Sequence, residues 1–128
     1  MSHSTHTLKV GLAQIRPVWL NRAATLEKVA TYMRKAAREN CELVVFGEAL
    51  VPGYPFWLSH TGGAAFESPI QKAIHARYLQ EAVCLEAGHL QHIQSLAKMH
   101  HLAVYLGIIE RPLQRGGHSL YCSLVFIA

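Results

Sequence analysis

The sequence predicts an α/β layered domain, and three observations carry that prediction. It opens strand, helix, strand; its strands are long in Val, Ile and Leu; and its helices show one apolar stripe each, as elements packed on the outside of a sheet do. Residues 1–7 are polar and expected to be disordered, with residues 8–128 forming the domain. Leu8 to Ile15 reads as the first strand, with Leu8, Val10 and Leu12 on one face and Ala13 and Ile15 on the other, so both faces are expected to be covered. Pro17 ends it.

Asn21 is placed to cap a helix whose apolar residues Leu26, Val29, Ala30, Met33 and Ala37 recur at amphipathic spacing. Asn40, tolerant of the left-handed conformation, can stop it. A strand over Glu42 to Phe46 follows almost at once, the order that builds a parallel pair with a crossover helix. Ser68, Pro69 and Gln71 then give a helix start over about Pro69 to Leu79: a capping oxygen, a proline at the first position and a capping-box amide. After the small residues Ala87 and Gly88, the spacing of Leu90, Ile93, Leu96 and Ala97 predicts another amphipathic helix, ending near His100 and His101. Ala103 to Glu110 and Leu120 to Ile127 read as the last strands, with Gly116 and Gly117 supplying a hairpin reversal. The final SLVFIA stops inside an apolar strand, which leads us to expect the front part of something larger.

Composition narrows the function classes. Of 128 residues, 51% are hydrophobic and only 16% charged, below the usual charged share of about 25%, so a partner or further chain is expected to cover much of the surface. Lys and Arg number 12 against 8 acids, but they are scattered rather than gathered into a stripe, which argues against nucleic acid. No apolar run reaches the roughly 18 residues of a membrane span, and the start lacks the apolar core of a secretory signal; a soluble, cytoplasmic protein is expected. Three cysteines, Cys41, Cys84 and Cys122, are odd in number and lack C-x-x-C spacing, so reduced and mostly buried thiols are expected.

The stretch LVVFGEALVPGYPFW, Leu43 to Trp57, sets one carboxylate, Glu48, where an apolar strand runs into a turn stiffened by Pro52, Gly53 and Pro55. Burial among Phe46, Leu50, Tyr54, Phe56 and Trp57 would raise the carboxyl pKa toward working pH and make Glu48 a base. A structural alternative is an acid that caps the turn or pairs with an arginine.

The run CELVVFGEALVPGYP resembles the first signature of the nitrilase, or carbon-nitrogen hydrolase, superfamily. KVGLAQIRPVW looks like the family's opening strand, HLAVYLGIIER like its third strand and GGHSLYCSLVFI like the hairpin strand that follows. The tryptophan after the motif and the extra helix before Glu86 look more like true nitrilases than the shorter amidase branch. The resemblance implies the amino-terminal part of an α-β-β-α sandwich, and hydrolysis of a nitrile or small amide. It also implies that a glutamate, a lysine and a cysteine cooperate, the sulfur attacking carbon while the lysine steadies negative charge. The motif's glutamate maps onto Glu48, and Tyr54, Phe56 and Trp57 fall where substrate-pocket residues are expected. Asn40 stands where the signature has Gly, and Gly47 where many members have Pro, which is expected to loosen Glu48. The family's lysine motif and nucleophilic cysteine lie beyond Ala128, so base without nucleophile is expected to leave these 128 residues inactive alone.

The local cysteines read otherwise. Cys122 alternates with Leu120, Leu124 and Phe126 and reads as a core thiol; Cys84 lies among Glu81 and Glu86, which would disfavour a thiolate. His89 and His92 are placed to share a helix face, with His100 and His101 further on, but no cysteine or acid stands at ligand spacing, so neither a metal nor a cofactor is expected. Trp19, Tyr105 and Tyr121 read as core or rim packing. The low charge fits a homo-oligomer. The rival from another class is a non-catalytic remnant or assembly subunit that kept the fold without its chemistry.

Overall fold

A computed structural model describes residues 5–114 and 118–128. Its elements run β1 (Val10–Ala13), α1 (Arg22–Arg38), β2 (Leu43–Phe46), α2 (Trp57–His60), α3 (Pro69–Glu81), α4 (Gln91–His100), β3 (Ala103–Glu110) and β4 (Tyr121–Ile127). The strands form one four-stranded sheet in the order β1-β2-β3-β4. The first three are parallel, joined by the α1 crossover and by the long connection that ends in α4, and β4 returns antiparallel along β3. This is the α/β architecture expected for the front of a nitrilase-type fold. The expected Gly116–Gly117 reversal lies outside the described residues.

Local chemistry sets the helix ends. Asn21 accepts the Ala24 N–H at 2.9 Å, and Asn40 turns left-handed at φ 59 after the last turn of α1, as its tolerance of that region allows. The buried side of α1 carries Val29, Ala30, Met33 and Ala36, together with Thr25, whose hydroxyl donates to the carbonyls of Val18 and Asn21. Against it lie Ile93, Leu96 and Ala97 of α4 and Val44, Phe46, Val104, Leu106 and Ile108 of the sheet, in one continuous core. The left-handed His101 ends α4, as its place at the helix terminus suggested.

Two expectations fail for the same reason. β1 is shorter than Leu8 to Ile15, and its faces are not both covered: Leu8 is 54% and Leu12 80% exposed, while only Gly11 and Ala13 turn toward the helices. Likewise Cys122 does alternate with Leu124 and Phe126, but on the open face of the sheet, so it is an exposed thiol and not a core one. Alternation separates two faces; it does not say which of them is covered.

Candidate active site

β2 leaves the sheet at Phe46, and the chain rejoins it at Val51, which pairs with Ile108 of β3. The Val51 N–H donates to the Gly107 carbonyl at 3.3 Å, and Ile109 N–H donates to the Val51 carbonyl at 2.8 Å. Between Val45, opposite Tyr105, and Val51, opposite Ile108, the excursion must pass over β3 at Gly107. A Cβ on Gly107 would stand 2.2 Å from the Gly47 carbonyl oxygen and 2.8 Å from both Ala49 N and Glu48 Cα. Only a glycine in β3 admits this turn. The looseness expected from Gly47 is thereby countered, because its carbonyl is seated on the strand below.

Glu48 rides the crest of that turn with its side chain exposed, so this chain does not supply the burial anticipated for it. The arginine pairing considered for it is not there either: among the described residues Glu48 makes no ion pair. Its partner is Cys122, whose Sγ lies 3.5 Å from Oε1. The contact follows from the register, since Cys122 pairs with Ile109 two residues beyond Gly107. Partial shielding from water, then the Glu48 carboxylate as hydrogen-bond acceptor and as charge, push the Cys122 thiol upward. Cys122 is therefore held as a protonated donor to Glu48. Beside it opens a cleft of about 640 Å³ lined by Glu86, Glu110, Tyr121, Cys122 and Ser123, in which Ser123 donates to Glu110 at 2.9 Å.

The aromatic run divides. Tyr54 and Phe56 point outward, half-exposed, with ring centroids 5.0 Å apart, and Trp19 joins them with its centroid 5.6 Å from Phe56. Trp57, at the start of α2, turns inward and meets Tyr78 edge-on at 6.1 Å; its indole N–H is buried without an acceptor among the described residues. Tyr78 belongs to α3, is buried, and donates its hydroxyl to the Gly53 carbonyl at 2.6 Å. Burial first, then Cys122 and Tyr54 nearby, push the Tyr78 phenol well up, so it remains a donor.

A family model for carbon-nitrogen hydrolases matches residues 9–128. The chain belongs to the carbon-nitrogen hydrolase family. It is 34% identical over 131 residues to an aliphatic nitrilase of Rhodococcus rhodochrous, which covers 99% of this chain and 32% of that protein. An arylacetonitrilase of Arthroderma benhamiae is 31% identical, with 94% of this chain and 33% of that protein covered. A bromoxynil-specific nitrilase of Klebsiella pneumoniae subsp. ozaenae is 33% identical over 94% of this chain and 32% of its own length. The chain thus spans about a third of the length of the curated relatives it matches.

Two of the remaining candidates, Cys84 and His89, have structural partners. Cys84 is buried and donates its thiol to Glu86 at 3.2 Å. Glu86 is held below the usual carboxylate range by its own backbone N–H, then by that thiol and by the Leu113 backbone, against some desolvation. His89 does not share a helix face with His92, because α4 begins only at Gln91; its Nδ1 accepts the Cys84 N–H at 2.9 Å. Burial and the Arg22 charge lower the His89 pKa, with Glu81 opposing. Among the described residues no three His, Cys, Asp or Glu side chains gather as a metal site, and no helix is long and apolar enough to cross a membrane.

Sequence reasoning missed Gly107, Cys122 and Tyr78 as parts of this neighbourhood. Gly107 did leave a signal, a glycine inside an otherwise apolar strand, which marks close approach of another backbone. Tyr78 left none, because the face of α3 that meets the protein mixes Gln71 and Glu81 with Ile74 and Tyr78 and shows no continuous apolar stripe.

Proposed function

We propose that this chain carries the general base of a nitrilase-type hydrolase that acts on a nitrile, or on a small amide, in the complete protein. The observation that carries the reading is Glu48 on a turn seated over Gly107, exposed, in contact with the Cys122 thiol that lines a cleft and, among the described residues, in no ion pair. An exposed acid fixed in this way and engaged by a thiol rather than a described cation is available to accept a proton. In this reading Glu48 takes the proton of a cysteine thiol supplied by the rest of the protein. The sulfur bonds to the nitrile carbon as the carbon-nitrogen π pair moves onto nitrogen, and a lysine steadies that charge. The dryness that Glu48 lacks here would come from the same part of the protein, laid against the open face of the sheet as the second layer of a sandwich.

Tyr54 and Phe56 are proposed to contact the organic group of the substrate, with Trp57 behind them. The kinship to both an aliphatic nitrilase and arylacetonitrilases supports a nitrile and leaves both classes of side chain to be assayed. A homo-oligomer fits the small charged share of 16%, and a cytoplasmic setting fits three free cysteines. Cys122 is not the nucleophile in this reading. The thiol pushed upward beside a carboxylate yields little thiolate, so the 128 residues alone should release no ammonia.

The test uses the complete protein, comparing Glu48→Gln with the wild type for ammonia release from aryl and aliphatic nitriles. Loss of a general base should lower kcat by about 10²–10⁴-fold. Undiminished turnover removes Glu48 from the mechanism. Ammonia release by the 128 residues alone, lost in step with alkylation of Cys122, would assign that thiol the nucleophile's part instead.

A further inference from the structure

α3 is a thirteen-residue helix whose one fully buried residue is Tyr78. An amphipathic helix ordinarily docks through an apolar stripe, and α3 does not. Gln71, Ile74, Tyr78 and Glu81 face the protein at the i, i+3, i+7, i+10 spacing of one face, with Leu79 half-buried at its edge. Three of these make polar ties. Gln71 Nε2 donates to the Thr61 carbonyl at 2.6 Å and to the Thr61 hydroxyl. Tyr78 donates to the Gly53 carbonyl, and Glu81 accepts the Arg22 N–H at 2.9 Å at the start of α1.

The first two ties fall on the connection that begins at Glu48. As far as Gly53 that connection is bonded to neighbours on the body: Val51 to β3, and the Pro52 carbonyl to the Leu20 N–H. From Tyr54 to Thr61 its backbone N–H bonds are internal, such as Phe56 to the Tyr54 carbonyl and Thr61 to the Trp57 carbonyl. The Tyr78 hydroxyl acts at the junction between the two regimes. Its ring meanwhile packs in one cluster with Ala49, next to Glu48, and with Trp57, next to Phe56.

We propose that Tyr78 is a positioning residue for substrate binding: through its hydroxyl on Gly53 and its ring between Ala49 and Trp57, it fixes Tyr54 and Phe56 relative to the Glu48 turn. The inference rests on the reading of Glu48 to Trp57 as the substrate site. Its distinctive consequence is a split between binding and chemistry. Glu48 keeps its own seat on Gly107 without Tyr78, whereas Tyr54 and Phe56 do not.

The test is Tyr78→Phe in the complete protein, which removes one oxygen and keeps the ring. KM for a nitrile with a bulky aryl or long alkyl group should rise about 3- to 10-fold, the factor expected of one neutral hydrogen bond, with kcat within about twofold. KM for the smallest aliphatic nitrile, too short to reach Tyr54 and Phe56, should stay put. Amide hydrogen exchange in residues 54–61 should quicken while β3 amides keep their protection. Gln71→Ala, which cuts the second tie, should quicken exchange in the same residues and reproduce the KM effect in weaker form. Unchanged exchange and unchanged KM overturn the hydroxyl tie itself. Faster exchange with unchanged KM for every substrate leaves the tie standing but overturns its role in binding, and with it the substrate-site reading of this loop. An equal fall in kcat for all substrates, with β3 protection lost, means that Tyr78 only holds the fold together.

Discussion

The two faces of the sheet are made of the same kinds of residue and end in opposite states. On the side of α1 and α4, Val104, Leu106 and Ile108 are completely buried. On the other, Leu12, Leu124 and Phe126 are 80%, 65% and 54% exposed, and the Glu48 turn and Cys122 lie on this side. The closed face is finished by helices that follow directly in the chain, so local pattern suffices to build it. The open face carries the acid and the thiol, and the described residues leave Leu12, Leu124 and Phe126 on it exposed.

The largest effect expected from breaking this contrast comes from truncating matched leucines on neighbouring strands. Leu106→Ala should cost about 2–5 kcal/mol of unfolding free energy, as cavities in closed cores do. Leu124→Ala in the same chain should stay within about 0.5 kcal/mol, because water already reaches the side chain. Urea unfolding of both variants measures the contrast. Repeating the pair in the complete protein sharpens it: a Leu124→Ala cost that climbs toward that of Leu106→Ala shows that the open face is covered there, and a cost that stays near zero removes the second layer from the proposal.

Glycines give the next largest effect. Gly107→Ala forces a methyl group into the backbone of the Glu48 turn and should cost about 1–3 kcal/mol, the range for overpacking. Gly47→Ala adds a methyl group with nothing within 4 Å and should be close to neutral. Thermal melts decide this, and in the complete protein Gly107→Ala should also cut kcat, because misplacing a reacting group by about 1 Å costs on the order of 10²-fold. Equal melting temperatures for the two variants would mean that the turn does not rest on β3.

The same contrast explains what could be read from the sequence. The α/β class, the Asn21 cap, the Asn40 stop and the order of strands were legible because each depends on residues a few positions apart. The Ser68 oxygen does accept the Gln71 N–H, as its place before Pro69 suggested, but the Gln71 side chain goes to Thr61 rather than back to the cap. That choice depends on where a loop ten residues away comes to lie. α2 went unseen for a similar reason, being four residues long with no buried side chain and no capping group. Glu48 was found by the motif around it, yet its surroundings were not: the alternation of Cys122, Leu124 and Phe126 was right, and the side to which they turn was set by pairing across β3.

The smallest effect tests the contact that ties the thiol to the acid on the open face. The folded chain holds the Cys122 thiol above its ordinary pKa, partly by shielding and partly through Glu48. The sign follows from linkage: the protonated form is favoured by folding, so this contribution to stability is present below the ordinary thiol pKa and fades as pH climbs through the raised one. Only the thiolate reacts with iodoacetamide, so alkylation of Cys122, resolved from Cys41 and Cys84 by peptide mass spectrometry, should reach half its maximum rate at a higher pH than a free thiol does. In Glu48→Gln the carboxylate's share disappears and the midpoint should move down without reaching the free-thiol value, because the shielding remains. A midpoint that is the same in both proteins would mean that the two side chains do not meet in solution, and Glu48 would then be free to turn wholly toward whatever covers this face.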